Sequence, residues 1–499
     1  MDVLHTHPTT IRQKTIRGGL VKLVSQATNF SVRLASLAVL ARLLDPRDFG
    51  LVGMVTALTG VLELFKDFGL STVTVQRPHV TTEQLSTLFW LNVLVGTVLA
   101  VIVIAGAPLI VIFYHEPRLF WVTVALSSSF LLNAAGVQHV AILQRQLRFM
   151  ATTVIEIVSL FGGTAIGIAM ALKGYSYWAL VGMTITAPAL STLCAWLMSR
   201  WTPGLPRRGI GLRSMLRFGG AITLNGLVVY VAYNLEKVLL GRYWGAESIG
   251  LYGRAYQLAN IPTANLNSAI GGVAFPSLSR VQDSPTRIRS YFVKGYSCVL
   301  AMTVPITILT AVFARELIAV VLGPKWHGVA EILRLLTPTI LVLALINPLG
   351  WLLFSTGMVQ RSLRVAFVLA PLVMTSYIVG LPYGPTGVAV AYSTVMTLWC
   401  GFHIAWCVRG TPVSFGDVVG AATPPMISGI GAALLAVGLT YSPFYPEAPL
   451  MRLIVGGTVA LMAYCVTLLF VMNQKGFYMD LLRSVKDGSV GERVPVISS

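Results

Sequence analysis

From Ser86 to Phe113 the chain runs STLFWLNVLVGTVLAVIVIAGAPLIVIF, 28 residues without one charged side chain. At 1.5 Å per residue, a helix of that length reaches about 42 Å, enough to cross the ~30 Å hydrocarbon core of a bilayer. Such blocks recur along all 499 residues, which are 55% hydrophobic and only 11% charged. A soluble chain carries about a quarter charged residues, and no single globular core hides this much apolar surface. The expected fold is therefore an all-α polytopic membrane protein, because only helices or closed barrels satisfy their own backbone in lipid.

Apolar blocks read against Pro, Gly and charge breaks predict about fourteen spans. They lie near 16–41, 49–75, 86–113, 119–142, 150–172, 176–199, 214–240, 249–275, 291–322, 329–354, 363–381, 385–408, 417–440 and 450–472. No loop between them is long enough for an extramembrane domain. Of the 36 Lys and Arg, 23 fall in one set of alternate loops and the termini, ten in the opposite set, and Arg33, Lys66 and Lys237 inside spans. By the positive-inside rule both termini are expected to be cytoplasmic, in a multi-pass protein of the cytoplasmic (inner) membrane. The same pattern accounts for the formal net charge of +18 without a nucleic-acid partner. Cys194, Cys298, Cys400, Cys407 and Cys465 all lie in apolar segments with no CxxC spacing and no His cluster. They read as small hydrophobes, not as metal ligands or a disulfide framework. The polar, basic start MDVLHTHPTTIRQKTIRGGL reads as a cytoplasmic lead-in and not as a cleaved signal.

The chain also repeats itself. ARLLDPRDFGLVG (Ala41 to Gly53) lies over GRYWGAESIGLYG (Gly241 to Gly253) at an ungapped shift of 200, pairing Arg42 with Arg242, Gly50 with Gly250, Leu51 with Leu251 and Gly53 with Gly253. Gly19 meets Gly219 at the same shift, and LQRQLRF (Leu143 to Phe149) resembles VQRSLRV (Val359 to Val365) at a slightly larger one. These matches predict two six-helix lobes, 1–205 and 206–410, followed by two extra spans (411–475) and a cytoplasmic tail (476–499). An even number of spans per lobe makes the repeats parallel, related by a pseudo-two-fold axis along the membrane normal.

No GxxxxGK[ST], HExxH or GxSxG occurs, and the segments between spans on the Lys/Arg-poor side (LLDPRD, FYHEPRLF, LKGYS, GPKWHG, SPFYPEAP) are short. A transporter is expected rather than an enzyme, with no cofactor beyond H+ or Na+ coupling.

A charge at the bilayer centre costs about 2.5–3.5 kcal/mol on insertion scales and so faces a partner or a cavity. The charges of this kind are Arg33 in the first span, Glu63, Lys66 and Asp67 in the second, Glu156 in the fifth, and Glu236 with Lys237 in the seventh. On a helix Glu63 shares a face with both Lys66 and Asp67. Two readings stay open: the pair neutralises itself and pins helices, or it lines a hydrated cavity. In the second reading Lys66 and Arg33 meet an anionic substrate, and a carboxylate balances charge or carries a proton. Glu236 and Lys237 diverge by about 100° and cannot face the same way. Their span adds Asn225, Tyr230, Tyr233 and Asn234, which suit sugar hydroxyls and pyranose faces, although Tyr230 reads equally well as packing. Position 233 is the repeat mate of Arg33, so spans one, two, seven and eight are expected to line the cavity. Arg42 and Arg254 sit nearer the outer ends, as anchors or a gate. Glu156 has no partner legible in the sequence.

The segment ARLLDPRDFGLVGMVTALTGVLELFKDFGLSTVTVQRPHVTTEQLSTLFWLNVLVG (Ala41 to Gly96) resembles the N-terminal region of bacterial polysaccharide flippases of the multidrug/oligosaccharidyl-lipid/polysaccharide superfamily. The pattern is carried by Pro46/Phe49/Gly50, Asp67/Gly69/Leu70/Ser71, Gln76/Arg77 and Phe89/Trp90/Asn92. LQRQLRF and GLYGRAYQLANIP (Gly250 to Pro262) extend it more weakly. The resemblance implies two lobes around a central, often cationic, cavity. It implies alternating-access export of undecaprenyl-diphosphate-linked oligosaccharide for exopolysaccharide, O-antigen or capsule, alongside polymerase and assembly partners and membrane lipids. It gives Arg33 and Lys66 a diphosphate to bind and makes Asp67 architectural. The alternatives are an ion-coupled drug or metabolite antiporter of the same superfamily and a non-transporting scaffold for polysaccharide enzymes.

Overall fold

The computed structural model describes residues 28–66, 71, 74–75, 80–206, 230–443 and 445–486. Among these, every regular element is helical. The order is α1 (28–43), α2 (Pro46–Glu63), α3 (Thr82–Tyr114), α4 (Leu119–Arg145), α5 (Phe149–Leu172), α6 (Trp178–Ser199) and α7 (Leu235–Arg280). Then follow α8 (Pro285–Val312), α9 (Ala314–Val321), α10 (His327–Ile346), α11 (Leu349–Ser355), α12 (Val359–Gly380), α13 (Gly384–Val408), α14 (Phe415–Thr440), α15 (Pro449–Val466) and α16 (Lys475–Lys486).

Nine stretches among the described residues are long and apolar enough to cross a membrane: α3, α4, α5, α6, α8, 324–355, 359–408, α14 and 449–471. The 50-residue stretch 359–408 contains both α12 and α13, separated by the 3-10 turn Leu381–Tyr383, and so crosses twice. The four predicted spans left over are the first, second, seventh and eighth. Their described parts fall on α1, α2, residues 230–234 and α7, while 16–27 of the first, 67–70 and 72–73 of the second and 214–229 of the seventh lie outside the described residues.

The chain forms two compact units, Met1–Gly253 and Arg254–Ser499. This packing division falls 48 residues beyond the expected lobe boundary at 205, because the described part of 230–253 packs on α2. In the first unit small residues let helices meet closely, as expected in lipid. A Cβ on Gly96 would sit 2.5 Å from the Ala134 Cβ, and one on Gly163 3.1 Å from the Ala187 Cβ. Leu99, Ala100, Val103 and Phe130 form one core cluster there, and Leu143, Ile155 and Ala195 another. In the second unit Val304, Ile308, Ala432, Tyr464 and Leu468 knit α8, α14 and α15 together, with Phe313, Ala436 and Ala460 alongside.

Several motifs resolve into joints. In LLDPRD, Pro46 occupies the first turn of α2, where its missing N–H costs nothing, and the Asp48 carboxylate accepts from the Asp45 N–H at 3.1 Å. The other Asp48 oxygen accepts from the Ser176 hydroxyl. Glu116, between α3 and α4, accepts two hydrogen bonds from Arg118 (2.8 and 2.9 Å) and one from Arg47 (3.2 Å). The Arg118 guanidinium holds its carboxyl below the ordinary range. In LQRQLRF, Arg148 donates to the Met198 carbonyl (2.9 Å) at the C-terminus of α6. In VQRSLRV, Arg361 donates to the Cys407 and Arg409 carbonyls at the end of α13. In both halves a cation therefore meets the negative end of a helix dipole.

Candidate functional site

The first unit contains a close helix crossing that the repeat explains. A Cβ built on Gly50 would lie 1.7 Å from the Ala246 carbonyl oxygen, and one on Gly250 would lie 1.9 Å from the Pro46 oxygen. At the repeat shift Pro46 pairs with Ala246 and Gly50 with Gly250, so the two contacts are copies of one another, as a two-fold relation requires. Only a residue without a side chain fits either place. Gly245 (φ 80°, ψ −176°) interrupts α7 just before the crossing, in a conformation that disfavours other residues.

Below this crossing lie the predicted site residues. The Tyr230 hydroxyl donates to the Thr56 and Ala57 carbonyls of α2 (3.1 and 3.3 Å), and it fits because a Cβ on Gly60 would stand 1.9 Å from the Tyr230 oxygen. Tyr230 is thus a packing residue, the plainer of its two readings. After 230–232 the helix breaks in a turn at Tyr233 and Asn234 and restarts as α7 at Leu235. A broken helix inside a membrane is tolerated where it lines a cavity or is buried in protein. Asn234 occupies this break: its amide nitrogen donates to the Tyr230 carbonyl (3.0 Å), and its oxygen accepts from the Lys237 ammonium (2.7 Å). Glu236, in the first turn of α7, is 0% exposed. Its oxygens lie against its own and Lys237's N–H groups, yet neither makes a hydrogen bond of proper geometry.

Glu63 and Lys66 face each other across 3.9 Å, the loose limit of an ion pair, with side chains 53% and 38% exposed. Such a pair is worth only about 0–1 kcal/mol. It neither seals a helix interface nor withdraws the ammonium from other anions. Tyr230 lies within electrostatic reach of both Glu63 and Glu236, so Glu63, Lys66, Tyr230, Asn234, Glu236 and Lys237 form one neighbourhood. Tyr233 is half-buried beside it. Arg33 is exposed on α1, and among the described residues no ion pair or hydrogen bond joins it to this group. Asp67 and Asn225 lie outside the described residues. Glu156 is exposed on α5, apart from the cluster, and Arg254 donates to Gln257 one turn along α7.

Sequence reasoning missed the joint made by FWLN in α3. Phe89 is the hub of an aromatic cluster, edge-on to Trp90, His139, Trp196 and Trp201 at 5.4, 5.8, 5.9 and 6.2 Å. The Trp90 indole donates to the Gly204 carbonyl (2.9 Å), and the Gly204 N–H donates to Ser86 (3.0 Å). The motif ties the segment after α6 down onto α3. The family pattern at Phe89/Trp90/Asn92 marks the position in sequence, but its partners are signalled only by the Trp pair at 196 and 201.

Two packed helical units, a discontinuous helix in the membrane region and ionisable side chains gathered at that break define a polytopic helical membrane protein of transporter architecture. The chain belongs to the family described as polysaccharide biosynthesis protein, which matches residues 39–331. It is 28% identical over 399 residues to the Escherichia coli (strain K12) lipopolysaccharide biosynthesis protein WzxC, covering 78% of this chain and 80% of that one. It is 30% identical over 331 residues to the Bacillus subtilis (strain 168) teichuronic acid biosynthesis protein TuaB, covering 65% and 68%. Its fold matches the lipid II flippase MurJ in an inward closed conformation, with a TM-score of 0.73 at 14% identity over 94% of this chain and 100% of that one.

Proposed function

We propose that the protein moves undecaprenyl-diphosphate-linked oligosaccharide repeat units across the cytoplasmic membrane, supplying surface polysaccharide assembly. The observation that carries the reading is the loosely paired, accessible Lys66, whose partner Glu63 lies within electrostatic reach of Tyr230 at the helix break, in a chain of the polysaccharide biosynthesis family. The names of its relatives, lipopolysaccharide and teichuronic acid biosynthesis proteins, agree with it.

In this reading the multiply charged diphosphate replaces Glu63 as the partner of Lys66, and Arg33 supplies further positive charge. The glycine crossing of α2 and α7 acts as a gate at the extracytoplasmic ends. Its closest contacts run from glycine to main chain, with the Ile249 side chain seated over Gly53 beside them. Glu236, buried with its oxygens short of good hydrogen bonds, is the carboxylate that couples translocation to a proton or sodium gradient. Both termini are cytoplasmic, and polysaccharide polymerase and assembly proteins take up the product.

The test is translocation of a defined lipid-linked oligosaccharide in proteoliposomes, with and without an imposed proton or sodium gradient. Wild type is expected to flip it, Lys66→Gln to flip it poorly, and Glu236→Gln to lose the gradient dependence. Equal translocation by vesicles without the protein would refute the function. Normal flux from Lys66→Gln would remove Lys66 from the site.

A further inference from the structure

Past the crossing, α7 carries an open stripe that holds three uncharged polar side chains, Gln257, Asn265 and Ser268. Arg254, Gln257, Ile261, Asn265, Ser268 and Gly272 stand at i, i+3, i+7, i+11, i+14 and i+18. At 3.6 residues per turn they fall within about 80° of one another, and Arg254 to Ser268 spans about 21 Å. Asn265, Ser268 and Gly272 are exposed and the other three half-exposed, whereas Ala255, Ala259 and Thr263 on the far side are buried. The Asn265 amide nitrogen donates to the Ile261 carbonyl of its own helix (2.7 Å), which leaves the side-chain oxygen facing outward. Beside it, a Cβ on Gly272 would meet nothing within 4 Å.

The fold does not require this polarity. At the repeat shift, Arg254, Gln257, Ile261, Asn265 and Ser268 correspond to Met54, Ala57, Val61, Phe65 and Phe68, all apolar, with Met54 and Ala57 buried. The described part of that face in the first half, Met54, Ala57 and Val61 on α2, is apolar. Hydrocarbon is a poor neighbour for outward-facing side-chain amides and hydroxyls, and α7, with 46 residues, is long enough to cross a membrane without being apolar enough to count among the nine apolar stretches. Such a face looks onto water or onto a ligand that replaces water. Neutral donors and acceptors in a row, with one guanidinium at the end and small residues between, match a chain of hydroxyls better than an anion or an acyl tail. We propose that this face of α7 binds the sugar portion of the lipid-linked substrate and sets which glycan is accepted. The inference rests on the flippase reading above.

The test replaces the native Cys194, Cys298, Cys400, Cys407 and Cys465 with Ala and adds Ser268→Cys, or Val101→Cys on the lipid-facing side of α3 as a control. In proteoliposomes, a charged, membrane-impermeant thiosulfonate is expected to label the first and spare the second. An undecaprenyl-diphosphate-linked trisaccharide is expected to slow labelling at least 5-fold, while undecaprenyl diphosphate without sugar leaves it unchanged. An unreactive Ser268→Cys, or equal protection by both lipids, would overturn the proposal. So would absent protection in vesicles that still flip the trisaccharide lipid, and that result leaves the flippase reading standing. With cysteines intact, Asn265→Leu is expected to raise the apparent KM for the trisaccharide lipid about 10-fold with little change in kcat. An unchanged KM would count equally against it.

Discussion

The helices of this protein divide into two chemistries. Ten crossings, α3 to α6, α8 and those from α10 to α15, are built from near-uniform apolar residues and present Leu94, Val101, Ile112, Leu197 and Leu434 outward. The first, second, seventh and eighth spans carry every intramembrane charge named above except Glu156, together with the glycine crossing, the break at Tyr233–Asn234 and the polar stripe of α7. The ten meet lipid and need only be apolar, so composition specifies them. In the four, polar positions such as Tyr230, Asn234 and Lys237 answer to particular neighbours. The helices hardest to recognise by hydropathy are therefore the ones on which function falls.

The largest effect is expected where that contrast is sharpest. Gly250→Ala and Gly50→Ala each drive a Cβ to within 2 Å of a main-chain oxygen. A backbone cannot swing aside as a flexible side chain does, so the cost exceeds the roughly 1–3 kcal/mol typical of overpacking. Translocation is expected to fall below detection with a lowered Tm. Gly253→Ala is the internal control, because its Cβ would meet nothing within 4 Å despite belonging to the same repeat motif. If Gly250→Ala transports and melts like Gly253→Ala, the crossing is not the joint described.

Next comes a charge placed on each kind of helix. Val101 on α3 is 58% exposed, and Val101→Lys is expected to cost about 2.5–3.5 kcal/mol of insertion. Ala264→Lys, on the exposed side of α7 beside Asn265, is expected to cost much less if that face looks onto water, as proposed above. Yield of folded protein by fluorescence-detected size exclusion compares them, and equal losses would erase the distinction between the two helix classes.

Lys66→Gln probes function with little structural effect. Its pair with Glu63 is long and exposed, so stability is expected to change by less than about 1 kcal/mol, while lipid-linked oligosaccharide flux drops about 10-fold. A drop in Tm that matches the loss of flux would recast Lys66 as structural.

How much of this was legible follows from the same division. The apolar spans could be read because a 28-residue uncharged run admits few other solutions, and the parallel repeat because Gly50 and Gly250 tolerate no substitute. Which charges pair could not be read. Tyr230 packs on α2 because Gly60, 170 residues earlier in the chain, lacks a side chain. Asn234 takes Lys237 as its partner and leaves Glu236 buried, since a break in the helix rotates neighbours in a way that regular 3.6-residue spacing does not anticipate. The family pattern at Phe89/Trp90/Asn92 marks a position but not its purpose, which depends on Gly204 after α6. Arg33 carries the expected charge, and among the described residues no ion pair or hydrogen bond defines its role.

The smallest expected effect lies outside the membrane, at Glu116. Arg118 donates two hydrogen bonds to its carboxylate, and Arg47 donates a third. Together they hold its folded-state pKa below the ordinary value of about 4.3. A depressed folded pKa means that the unfolded chain takes up the proton first. The contribution is therefore complete above about pH 4.3 and disappears as pH falls through the folded value. For a pair near the surface it amounts to about 1 kcal/mol or less. Thermal unfolding in detergent is expected to show Glu116→Gln slightly less stable than wild type at pH 6 to 7. The gap should close as the pH is lowered past 4. A gap that widened in acid would mean that Arg47 and Arg118 hold α2, α3 and α4 together by some contact other than this carboxylate.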